Sequence, residues 1–134
     1  MATQPGLLRQ AAAVPVLNGQ VCLVTSRSGK RWVVPKGCLE AGKSACEIAI
    51  QEAWEEAGLV GLVAPDPVGS YFYEKDGLTC HVIVFVLRVT GQMESYPESV
   101  LRQRLWLPAG QAALRVEDAG LKEILRSVSG QKAG

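Results

Sequence analysis

The chain has 134 residues, 48% of them hydrophobic and 20% charged, with a formal net charge of +1. That length and balance suit one globular domain, residues 1–134, with a sizeable core, and they exclude a disordered tail. The small net charge gives no global case for a nucleic acid polymer or a membrane as partner, so any affinity for anions must come from a local patch.

Residues 11–17 and 20–26 are apolar segments separated by Asn18-Gly19, a turn pair that predicts a tight hairpin. Val21, Leu23 and Thr25 would share one face. Arg27-Ser28-Gly29-Lys30 reads as a polar turn, and residues 31–34 as a short strand ending at Pro35, which cannot donate to a ladder. A Gly-bearing loop follows, then a helix over 44–57, with Ser44 as N-cap and Gly58 as a left-handed stop.

Helical phase singles out the acids. At about 100° per residue, Glu52, Glu55 and Glu56 fall within one arc, beside a stripe of Cys46, Ile50, Ala53 and Ala57 suited to docking on a sheet. Carboxylates at i, i+3 and i+4 repel one another, by a few tenths of a kcal/mol (roughly) per pair. Two environments remove that cost: solvent with basic residues nearby, or a hard divalent cation, which carboxylate oxygens suit. Trp54, opposite the acids, is expected to be an exposed aromatic that a covering loop or a partner would shield, and a homodimer is compatible with this.

Further along, residues 60–63 look extended and 64–67 break the chain; 69–73 and 79–89 are predicted arms of a second hairpin around Glu74-Lys75-Asp76-Gly77. The run CHVIVFVLRV is apolar enough for a central strand covered on both faces. Residues 90–99 read as a polar loop, 101–107 as a strand, and 109–114 and 117–128 as helices, the last with a stripe of Leu121, Ile124, Leu125 and Val128. The tail 129–134 is expected to fray. This order predicts an α/β fold with a mixed sheet sandwiched between helices.

No apolar run approaches the roughly 18 residues of a spanning helix, and the first ten residues lack the charged and apolar regions of a secretory signal. Cys22, Cys38, Cys46 and Cys80 contain no C-x-x-C pair, and with a single His a zinc site is disfavoured. Reduced thiols in a cytoplasmic protein fit best.

Residues 37–59 resemble the Nudix hydrolase signature, which is Gly, five residues, Glu, seven residues, then Arg-Glu-aliphatic-any-Glu-Glu-any-Gly-aliphatic. Here Gly37 is followed, at matching spacing without a gap, by Lys43 and then by Gln51-Glu52-Ala53-Trp54-Glu55-Glu56-Ala57-Gly58-Leu59. Lys43 stands where Glu is usual, and Gln51 where Arg is usual. The resemblance implies the Nudix fold and hydrolysis of a phosphoanhydride with Mg2+ or Mn2+. Glu52, Glu55 and Glu56 would be the catalytic carboxylates and metal ligands, joined by the carbonyl of Gly37. The usual Arg orients a glutamate of the cluster; the amide of Gln51, one turn before Glu55, could still donate, though a neutral bond is weaker. Lys43 is either a solvated residue or a contact to substrate phosphate, and Glu40 could take over the missing acidic role.

The expected partner is a small phosphorylated molecule. Arg27, Lys30, Arg31 and Lys36 cluster before and within the loop, with Arg27 read as a solvated turn residue, Lys36 as a substrate contact, and Lys30 and Arg31 as either substrate contacts or part of the solvated turn. Residues 96–106 resemble the diphosphoinositol polyphosphate and diadenosine polyphosphate hydrolase branch, in which the basic residues face the phosphates. Alternation would place Arg102 and Arg104 on one strand face with Trp106, and Glu98 is a further candidate carboxylate. His81 reads as a strand histidine, and Tyr71, Tyr73 and Trp106 either stack on a base or pack in the core. The alternative function is a Nudix-fold nucleotide-sensing module in which Lys43 and Gln51 mark lost catalysis.

Overall fold

The computed structural model describes residues 6–130. In chain order it contains β1 (Leu7–Leu17), β2 (Gln20–Thr25), β3 (Trp32–Val33), β4 (Lys36–Cys38), α1 (Ala45–Ala57), β5 (Leu59–Val63), β6 (Gly69–Lys75), β7 (Leu78–Gln92), β8 (Arg104–Pro108), α2 (Ala109–Arg115) and α3 (Ala119–Gly130). Both expected hairpins form on left-handed residue pairs: Asn18 and Gly19 take φ of 52° and 78°, Asp76 and Gly77 take 52° and 79°. Such pairs match the twist of the strands they join.

The sheet runs β3-β2-β1-β7-β5, with β4 added to β1, β6 to β7 and β8 to β2. β1 and β7 are parallel, and every other pairing is antiparallel, so the sheet is mixed as expected. β7 lies centrally, flanked by β1 on one side and by β5 and β6 on the other. On one face Ala12, Val14, Leu23, Val82 and Val84 pack with Leu121, Ile124 and Leu125 of α3. On the other, Ala11, Ala13, Val24, Phe85 and Leu87 pack with Ile48, Ala49, Ala53 and Ala57 of α1. Successive strand residues feed opposite cores, which is why β1, β2 and β7 are apolar almost throughout. The small side chains of β1 let α1 approach the sheet closely.

Four expectations are corrected. β1 begins at Leu7 rather than at 11, because its first residues pair with β7 and with the unexpected strand β4. That strand forms within the supposed loop: Pro35 forfeits only a donor, and its carbonyl accepts from Ala13 N at 3.0 Å while Leu39 N donates to Arg9 O at 3.0 Å. β8 begins at Arg104, so Arg102 lies in the preceding loop and does not alternate with Arg104 along a strand. Finally, α1 faces the sheet with Ile48, Ala49, Ala53, Glu56 and Ala57, while Ile50 is 39% exposed and Trp54 is half-buried. The core arc thus turns toward the acids and takes Glu56 with it. α3 continues to Gly130, and residues 131–134 of the expected frayed tail lie outside the described residues.

Candidate active site

Helix α1 is held at both ends, and this sets the direction of its acids. Ser44 Oγ accepts from Glu47 N at 3.1 Å and Glu47 Oε1 accepts from Ser44 N at 2.7 Å, a reciprocal capping box. At the other end Gly58, at φ 67°, donates its N–H to Trp54 O at 2.9 Å. A Cβ on Gly58 would collide with the ring of Tyr96. Arg104 closes the same end: its guanidinium donates to Ala57 O at 2.6 Å and lies 4.9 Å from the centre of the Tyr96 ring. A cation at a helix C-terminus also opposes the negative end of the dipole.

The loop after β7 is hung on this helix end. Glu98 N donates to Glu55 O at 2.9 Å, and Met93 N to Gly58 O at 2.9 Å. The loop thereby delivers Glu98 and Arg102 to the acid face of α1. Arg102, whose side chain is only 9% exposed, donates from Nε to Glu98 Oε1 at 2.6 Å and from Nη1 to Thr25 O at 2.9 Å. Its Nη2 lies 3.6 Å from Glu56 Oε2.

These elements enclose a cavity of about 450 Å³. Helix α1 contributes Glu52, Glu55 and Glu56, and the loop contributes Glu98 and Arg102. Cations come from three other places: Arg27 and Arg31 from the turn before β3, Lys36 from β4, and Lys75 from β6. Lys36 lies 5.2 Å from the centre of the Tyr73 ring, and burial lowers its pKa from the ordinary lysine value. Tyr73 in turn donates to Gln10 Oε1 at 2.7 Å.

Burial dominates the chemistry of the acids. It raises the Glu52 carboxyl, and it raises Glu56 to about 8, an effect increased by the hydrogen bond the two share and opposed by Arg102. Two carboxylates buried this close together cannot both ionise cheaply. The donor set fits a hard divalent cation in chemistry. Gly37 adds a steric argument: a Cβ there would sit 2.5 Å from Glu52 Cδ, so only glycine lets the carboxylate lie against this backbone. The hydrogen-bonded positions Ala13–Pro35 and Leu39–Arg9 bracket the Ala11–Gly37 pair, so alternation commits one lone pair of the Gly37 carbonyl to the ladder and leaves a second. Among the described residues no three acidic, His or Cys side chains form a ready-made cage.

A pH dependence follows. A carboxyl raised in the folded state stabilises that state below its unfolded value and loses this contribution as pH rises through the folded value. Without divalent cations, the melting temperature is therefore expected to fall as pH rises from about 4.5 to about 8. Melts with a chelator check this, and Glu56→Gln should flatten the trend.

Of the anticipated substrate contacts, Arg31, Lys36 and Arg102 line the cavity, whereas Lys30, Lys43 and Arg104 do not. Lys30 is exposed on its turn. Lys43 Nζ donates to Gln51 Oε1 at 2.6 Å and lies 3.8 Å from Glu40 Oε1, so neither Lys43 nor Glu40 reaches the cavity, and the Gln51 oxygen is engaged. Arg104 is used in closing α1. Tyr71 is core, Trp106 donates to Gln92 Oε1 at 2.7 Å, and His81 stacks on Phe72 at 4.5 Å between centroids. Arg27, read as solvated, lines the cavity, as do Gln10, Ser26, Cys38, Tyr73 and Lys75. Gln10 carried one usable signal, a lone amide entering an apolar run.

A NUDIX domain family model matches residues 7–128. The chain is 34% identical over 107 residues to Nudix hydrolase 17, mitochondrial, of Arabidopsis thaliana, covering 79% of this chain and 59% of that protein. It is 33% identical over 103 residues to diphosphoinositol polyphosphate phosphohydrolase 3-alpha of Mus musculus, covering 75% and 57%. The chain spans only 50–63% of the length of the curated relatives it matches. Among solved structures, the MutT protein from Methanosarcina mazei Go1 matches with a TM-score of 0.75 at 18% identity, covering 99% of this chain and 100% of that one. The C. elegans Ap4A hydrolase matches with a TM-score of 0.67 at 22% identity, covering 92% and 97%. The fold is thus that of Nudix structures, a mixed sheet between helices carrying its acids on the first helix. The chain belongs to the Nudix family.

Proposed function

We propose that this chain is a pyrophosphohydrolase that cleaves a phosphoanhydride in a small polyphosphorylated molecule, with Mg2+ or Mn2+ held by Glu52, Glu55, Glu56 and the Gly37 carbonyl. The observation that carries the reading is one cavity lined both by the α1 carboxylates and by Arg31, Lys36 and Lys75. An isolated polyanion would be repelled by the acids, and an isolated cation by the bases; a metal-bound polyphosphate satisfies both.

When bound, the metal would polarise phosphoryl oxygens and lower the pKa of a water. The chain's own residues do the rest. Arg31, Lys36 and Lys75 hold phosphate oxygens and spread their charge. Arg102, fixed by Glu98 and Thr25 O, sets the orientation of Glu56. One carboxylate of the cluster accepts the proton of the attacking water.

Diadenosine polyphosphates and diphosphoinositol polyphosphates are the leading substrate classes, supported by the number of cations around the cavity and by the names of two similar proteins. A cytoplasmic location belongs to the same reading; the free thiols of Cys22, Cys38, Cys46 and Cys80 fit any reducing compartment, so cell fractionation decides it. A sensing module is the second reading, favoured by the engagement of Gln51 with Lys43. A Mg2+-dependent phosphate-release screen separates the two. It should cover dinucleoside polyphosphates, nucleoside triphosphates, ADP-ribose and diphosphoinositol phosphates. Turnover of a polyphosphate-rich substrate is expected, whereas binding without turnover across the set would establish the module.

A further inference from the structure

We infer that Lys43 and Gln51, the two departures from the Nudix pattern, form one matched positioning pair that keeps the acid face of α1 in register with β4. This rests on the proposed cation-binding role of that face. The pattern has an acid on the loop and a cation on the helix at these positions. This chain places the cation on the loop and a neutral acceptor on the helix, and the two meet at 2.6 Å. Glu40, 3.8 Å from the same ammonium, supplies the negative charge, so the three side chains are neutral together.

The geometry shows what the pair holds. The loop between β4 and α1 turns through a Lys43 N to Glu40 O hydrogen bond of 3.3 Å and through Gly42 at φ 84°. At its near end Gly37 lies against Glu52; at its far end Lys43 is tied to Gln51, the residue immediately before Glu52. The loop is therefore pinned to the helix on either side of the segment that sets the Gly37–Glu52 approach. An ammonium only donates, so Gln51 must turn Oε1 to it, and both Nε2 protons are left to other acceptors. Loss of either partner frees the loop end and the amide together. Neither residue lines the cavity, so both act through Glu52 and its neighbours.

A four-variant cycle tests the pair: the unaltered chain, Lys43→Glu, Gln51→Arg and Lys43→Glu/Gln51→Arg, with Lys43→Arg as the conservative control. Mn2+ affinity of the metal-free protein by calorimetry is the first readout, and kcat and KM on the best substrate of the screen are the second. Lys43→Glu sets a carboxylate against Glu40, and Gln51→Arg sets a second cation against Lys43. Each should weaken Mn2+ binding about three- to tenfold, the worth of one hydrogen bond, and lower kcat with KM held. The double variant, which restores opposite charges, should return to within about twofold of the unaltered chain, and Lys43→Arg should match it. Additive losses, or single variants with no loss, would overturn the pairing. If the unaltered chain binds no Mn2+, the proposed function fails first, and the positioning role falls with it.

Discussion

Glu56→Gln is expected to lower Mg2+-dependent turnover at least about a hundredfold, the scale of one lost preorganised charge at a reacting centre, without loss of thermal stability at pH 8. The two halves of this result have different causes. Glu56 is 5% exposed, and burial pushes its carboxyl up to about 8, so the metal-free fold gains little from its charge. A neutral amide of the same shape therefore costs the metal-free fold little, and it retains an oxygen for Arg102. Under the proposed function, activity depends instead on the ionised form, which a bound cation would stabilise in that position. Steady-state kinetics with parallel melts at pH 8 check both halves. A variant that loses activity and stability together would mean that Glu56 is a structural acid.

Arg102→Met should be the most destabilising single change at the site, by about 3–5 kcal/mol, because it leaves buried carboxylates without their cation. Arg102 answers Glu98 at 2.6 Å, Glu56 at 3.6 Å and Thr25 O at 2.9 Å, with its own side chain 9% exposed. Methionine fills much of the volume and supplies none of the donors. Urea denaturation should show the loss near pH 8 and a smaller loss near pH 5, well below the value to which burial raises Glu56. A pH-independent loss below about 1 kcal/mol would place Arg102 among ordinary surface pairs, which are worth that little.

Much of this protein was legible in its sequence because the governing interactions are local. Helix α1 follows from Ser44 and Gly58, both hairpins from residue pairs able to adopt positive φ, and the candidate carboxylates from spacing along one helix. The central position of β7 follows from its continuous apolar run, since a strand buried on both faces has no polar side.

Contacts distant in sequence decided the rest. β4 is only Lys36–Cys38, too short to carry a periodic pattern, and exists because β1 offers it a ladder. Arg102 and Arg104 look equivalent along the chain, yet one enters the cavity and the other closes α1, because the loop after β7 is fastened to the end of that helix. Lys43 and Gln51 read singly as two separate departures from the pattern; folded, they are partners at 2.6 Å. Spacing places three acids on one arc. Only the packing of α1 against the sheet buries Glu56 among them, and desolvation in that position, not spacing along the chain, raises its carboxyl.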